Sequence, residues 1–230
     1  MSIQTLDTNI IAVLAEPWAL LPSPNSFFES LDFEDILRQP FRYSQNASID
    51  VARSVAVPMS VVESSNQLSV NLGQLRVEVH DQSAQPTITG SVLPDLLHLV
   101  FAKLPPVRLL AVGVNLEGQV STTDGMTAAR EIGDKVLKVS THFEAQGLHL
   151  VAGSARYGMQ GQDGTTYTVS IEPRFNAPDT RNVWLACNGS IEGPELPDRV
   201  RLMSALREGY AMLSHALETF FPEYSESYEK

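Results

Sequence analysis

At 230 residues, with 43% apolar and 19% charged side chains, the chain can close a hydrophobic core as one large domain or two small ones. Its net charge of −11 argues against nucleic acid and anionic lipid as partners, because both recruit clustered Lys and Arg. A single cysteine, Cys187, excludes an intramolecular disulfide, and the N-terminal apolar run Ile10–Ala15 is too short for a signal peptide or a membrane span. A cytoplasmic location is the expectation, with the charge serving solubility.

The first 50 residues carry seven acids against two bases. Asn9–Ala15 is rich in Ile and Val and reads as a strand that stops at Glu16-Pro17. Pro22 and Pro24 enforce a turning connection, and Ser26 is placed to cap a short helix carrying Phe27, Phe28, Leu31 and Phe33, ended by Pro40. Residues 1–45 are therefore predicted to form an N-terminal arm laid on the body.

Alternation follows. Ser48–Pro58 places Ile49, Val51, Val55 and Val57 on one side. Gln67–Asn71 and Gln74–Val79 follow around a turn at Asn71-Leu72-Gly73, which is the period of a sheet with one wet face. The period then changes. Leu93, Leu96, Leu97, Val100, Phe101 and Leu104 recur at helical spacing, Ser91 is the predicted N-cap, and Pro94 is tolerated in the first turn. Leu99 adds apolar area on the other side, so the helix is expected in a core or at a subunit interface. Val107–Val114 reads as a buried central strand, turned at Asn115–Gly118. Thr123-Asp124 is placed to cap a helix over Met126–Val139.

The second half repeats the order. Strands are predicted over Gly147–Tyr157, Thr165–Pro173 and Asn182–Gly189, the first two joined by the glycine-rich stretch Gly158–Gly164. The longest periodic segment is Asp198–Phe221, with Val200, Met203, Leu206, Tyr210, Leu213, Leu217 and Phe220 at spacings of three and four. Pro222 ends it, and residues 223–230 read as a disordered acidic tail. The fold class is α+β: antiparallel sheet with helices on one face, in two strands-then-helix units over 46–120 and 121–222. This layout resembles the cytosolic holdase chaperones of the SecB type in architecture, without a shared motif.

The sequence holds no phosphate-loop, dinucleotide, nucleophile-elbow, zinc-protease or C-x-x-C pattern. His142 and His149 flank Glu144 near ligand spacing, but a metal needs three or four ligands, and they read as solvent-facing. His98 reads as a packed or interfacial histidine, and Cys187 beside Trp184 as a buried structural thiol. The glycines of 158–164 precede a strand, which is hairpin chemistry rather than a phosphate cradle. Arg174, Arg181, Arg199, Arg201 and Arg207 form the one basic concentration, read chiefly as a solvated helix face.

These features predict a non-enzymatic protein-binding or assembly protein, chaperone-like and acting as a homo-oligomer, with a protein partner or self-association and no cofactor, metal or catalytic residues. Its candidate interface is Phe27, Phe28, Leu97, Leu99, Phe101, Arg201 and Arg207. One alternative is a small-molecule enzyme built on Asp124, His142, Glu144 and His149. Another is a phage or particle structural component.

Overall fold

The structure, a computed structural model, describes residues 4–18, 41–50, 55–64, 68–83, 88–122, 126–139, 145–146, 153–174 and 181–222. Among these residues the chain forms nine strands and three helices: β1 (Gln4–Leu14), β2 (Phe41–Asp50), β3 (Val55–Ser64), β4 (Leu68–Leu72), β5 (Arg76–Asp81), α1 (Leu93–Lys103), β6 (Leu109–Ser121), α2 (Ala128–Ile132), β7 (Ala155–Gln160), β8 (Thr166–Pro173), β9 (Asn182–Glu192) and α3 (Arg199–Phe220). The α+β class holds. No helix among the described residues is long and apolar enough to cross a membrane.

The chain divides into two compact units. One holds residues 7–115 and 190–206, the other residues 1–6, 116–189 and 207–230, so β1, β6, β9 and α3 run through both.

In the first of these units the strand order is β2-β3-β4-β5-β1-β6, with β2 to β5 antiparallel in succession and β1 antiparallel to β5. The single strand expected over Ser48–Pro58 is instead two, paired from Phe41↔Ser64 to Asp50↔Val55, with the connection at 51–54 outside the described residues. The strand read at Asn9–Ala15 belongs to the sheet, not to a surface arm. Its even residues Ile10, Ala12 and Leu14 are buried, and Ile10 and Ala12 stand in register with the buried Val79 and Val77 of β5. Residues 19–40, with the predicted short helix, lie outside the description. Helix α1 packs on β5 through Leu93, Leu96, Leu97 and Val100, each worth roughly 1.5–3 kcal/mol when fully buried. The N-cap is Val92 rather than the predicted Ser91, and it makes no side-chain cap bond; Ser91, one residue earlier, accepts from the Leu93 amide at 3.3 Å.

The turn expected at Asn115–Gly118 is absent. Those residues continue β6, whose even positions from Val112 to Val120 face inward. Leu110 is exposed, so β6 is buried on one face only over its start.

In the other unit the order is β6-β9-β8-β7, and β7 pairs antiparallel with β8 from Ala155↔Ile171 to Gln160↔Thr166. Tyr167, Val169 and Ile171 are buried, as their alternation predicts. The turn is Gly161–Thr165: Asp163 accepts from the Thr165 amide at 2.9 Å and from its hydroxyl at 2.7 Å, and Gly164 sits at φ 84°, where glycine carries no Cβ penalty. The helix expected over Met126–Val139 is shorter. Thr127 caps α2, and Gly133–Leu137 continues it as a π-helical turn ended by Lys138 in the left-handed region.

Asp198 caps α3 by accepting from the Arg201 amide at 2.8 Å. The buried face of the helix is Leu202, Ala205, Leu206, Gly209, Leu213, Ala216 and Leu217. It is rotated from the predicted stripe: Val200 is 77% and Tyr210 37% exposed. Gly209 explains the rotation. A Cβ there would stand 2.8 Å from Leu116 Cδ1 and 3.6 Å from Cys187 Sγ, so a larger residue would have to push the buried Leu116 side chain aside. Gly209→Val is expected to lower stability by roughly 2 kcal/mol through overpacking, read as a shifted urea midpoint at unchanged slope.

Candidate functional site

Two constellations stand out, one polar and one apolar. The polar one lies on the face of the β1–β5–β4 ladder opposite Ile10, Val70, Val77 and Val79, where Asn9 stands opposite His80, and Asn71 opposite Glu78. His80 bridges two carboxylates: Nδ1 lies 3.1 Å from Asp7 Oδ2 and Nε2 3.3 Å from Glu78 Oε2. Glu78 also accepts from Asn71 at 3.1 Å and pairs with Arg76 at 2.7 Å. Asp7 accepts from Asn9, which accepts in turn from Asn115.

Burial opposes charge on His80, but the hydrogen bonds and charges of Asp7 and Glu78 outweigh it and push the ring up to about 9. Burial likewise works against the Glu78 carboxylate, yet His80, Asn71 and Arg76 bring it below its ordinary range. His80 is thus a cation held between two anions. Every polar group of the imidazole is spoken for, so the cluster is a strap across three strands and not a base awaiting substrate.

The apolar constellation lies between the β7–β8 hairpin and the C-terminal half of α3. There Tyr157, Gly158, Met159 and Val169 face Glu208, Ala211, Met212, His215, Ala216, Thr219 and Phe220 across a groove of about 580 Å³. Alternation places Tyr157 and Met159 on the same face as their partners Val169 and Tyr167. Those two β8 side chains are covered, while Tyr157 and Met159 stay 38% and 39% exposed. Phe220 stacks on Tyr157 with ring centroids 6.0 Å apart, closing one end.

The floor is held by Tyr167, whose hydroxyl donates to Glu208 Oε2 at 3.0 Å. Burial first, then the Glu208 carboxylate, raise the phenol far above its ordinary range, so it remains a neutral donor. Gly161 admits this pair: a Cβ there would lie 3.0 Å from Glu208 Oε2 and 3.1 Å from a Tyr167 ring carbon. The groove therefore offers surface to an apolar group and no activated nucleophile.

Of the candidate interface residues, Phe27 and Phe28 lie outside the described residues. Leu97 is wholly buried and has no surface to give a partner; helical spacing alone cannot tell a core face from an interface. Leu99, Phe101 and Arg201 are half-buried, and Arg207 is exposed. Asp124, His142, Glu144 and His149 are outside the description.

His98 is packed, its Nε2 donating to the Pro197 carbonyl at 3.0 Å. Cys187 is buried, and burial pushes its thiol up to about 12. The arginines do not act as one patch: Arg199 pairs with Asp95 at 2.9 Å and Arg174 donates to Gln119. Among the described residues no group of three or more His, Cys, Asp or Glu is placed to hold a metal ion.

The sequence reading missed Tyr157, Met159, Ala211, Met212 and Thr219. The pair Tyr157 and Met159 was visible as a period-two step before the turn. The helix residues were not, because they lie off the stripe of large apolar side chains. No protein-family model and no curated protein matches the chain.

Two outcomes follow from this chemistry. His80 adds stability fully below pH 6.5 and loses it as pH rises through 9, whereas Glu78 adds stability above pH 4.5 and loses it as pH falls below that. The urea midpoint should therefore decline between pH 6.5 and 9 by roughly 3 kcal/mol in stability, and His80→Gln should flatten that slope. Tyr167→Phe should cost roughly 2 kcal/mol, measured by the same titration at neutral pH, since it strips a buried donor from a carboxylate.

Proposed function

We propose that the chain is a non-enzymatic protein-binding and assembly protein whose working surface is the groove between β7–β8 and α3. The observation that carries this is the exposure of Tyr157 and Met159 beside the exposed Ala211 and Thr219 and the half-buried Met212. Apolar side chains left open beside a helix are what an extended apolar segment of a polypeptide needs for docking. Glu208 and His215 supply polar contacts at the wall, and Glu208 is engaged by Tyr167.

The same reading treats the chain as a duplication, with β2 to β5 followed by α1, and β7 to β9 followed by α3. Both helices are assigned to one sheet face in that scheme, a common way to cover an antiparallel sheet.

Fluorescence anisotropy with labelled, unstructured apolar peptides tests the reading. Peptides should bind the wild-type chain, and Met212→Glu should weaken binding at least about tenfold by placing a charge in the apolar wall. Val200→Glu, on an exposed part of α3, should leave it unchanged. Equal effects of the two substitutions would overturn the proposal. Binding of fatty acids or detergents in place of peptides would overturn it in favour of a small-molecule site, which a groove of this volume also fits.

A further inference from the structure

Strand β7 ends the strand order, so among the described strands it has a neighbour on one side only. Natural edge strands are usually blunted by Lys, Pro, inward charges or a bulge. Ala155–Gln160 has none of these: its sequence is ARYGMQ, its one charge is Arg156, and residues 156–160 are all exposed. It also carries a glycine mid-strand, which weakens a strand and often marks the close approach of another backbone. A Cβ on Gly158 would meet nothing within 4 Å of its own chain.

From these features, and resting on the groove as the working surface, we infer that its occupant is a second copy of the chain, joined by antiparallel pairing of β7 with β7 about a twofold axis at Gly158. Residues opposite one another in an antiparallel ladder share a face, so a twofold normal to the sheet pairs positions of equal parity. Centring on Gly158 is the register that uses all of 156–160. It sets Tyr157 against the partner copy's Met159, and Arg156 against its Gln160.

No like charges meet in that register, although each chain carries a net −11. On the groove face, Tyr157 and Met159 of the two copies form one apolar cluster at the shared edge. On the opposite face, Gly158 meets itself across the axis, where opposed backbones lie about 4.5–5.5 Å apart and no side chain intrudes. An isologous contact of this kind closes as a dimer and leaves no further edge at β7 to propagate.

Light scattering on the full chain tests this. The wild-type mass is expected at twice 25.2 kDa. Arg156→Glu combined with Gln160→Glu places like charges opposite one another twice, outside the groove lining, and should weaken the dimer at least about tenfold without loss of circular dichroism. Arg156→Glu combined with Gln160→Arg pairs opposite charges in the same register and should restore the dimer.

A monomeric wild type that still binds apolar peptides would overturn the second-copy inference and leave the groove reading standing. A monomer that binds none would overturn both. A dimer indifferent to the like-charge pair, or not restored by the opposite-charge pair, would also overturn the inference.

Discussion

The approach of α3 to Leu116 and Cys187 at Gly209 is the constraint on which this part of the molecule depends. A helix can bury any of several faces, and the contact without a Cβ selects one. Once Gly209 is against the sheet, Leu206, Leu213, Ala216 and Leu217 follow it inward at helical spacing. Ala211, Met212, His215 and Thr219 then line the groove opposite the β7–β8 hairpin, Met212 half-buried and the other three exposed.

Period two and period three-to-four were both legible in the residues, so the α+β class, the alternation of β8 and the extent of α3 followed from patterning. What patterning hid has physical causes. The predicted stripe shares Leu206, Leu213 and Leu217 with the true face, but its Val200, Met203, Tyr210 and Phe220 follow side-chain size, whereas the true face includes Ala205, Gly209 and Ala216, whose value is closeness and not bulk. Asn115–Gly118 has turn-forming residues, but tertiary pairing held them in β6. β2 and β3 share one alternating run in the sequence, because Ile49, Val51, Val55 and Val57 keep one parity, so alternation alone does not separate the two strands. The groove itself was out of reach, since it is formed by residues of β7–β8 and α3 that are distant in sequence and whose meeting no local signal encodes.

The two constellations also divide the labour. The strap of Asp7, His80 and Glu78 spends its polar capacity internally, tying β1 to β5 through charge-assisted hydrogen bonds. The groove spends none: its floor polar pair, Tyr167 and Glu208, is mutually engaged, and its open surface is apolar. With Tyr167 and Glu208 mutually engaged and Tyr157 and Met159 exposed, the groove has the character of the recognition surface proposed for it.

The rotation of α3 is open to direct measurement by thiol labelling, with the buried Cys187 as an internal control that stays unreactive until unfolding. Single cysteines placed at Val200 and Tyr210 should label at the rate of an exposed thiol, while cysteines at Ala205 and Ala216 should be protected. If Ala205 and Ala216 positions label as fast as Val200, a different face of the helix is buried, and both the groove and the function assigned to it are wrong.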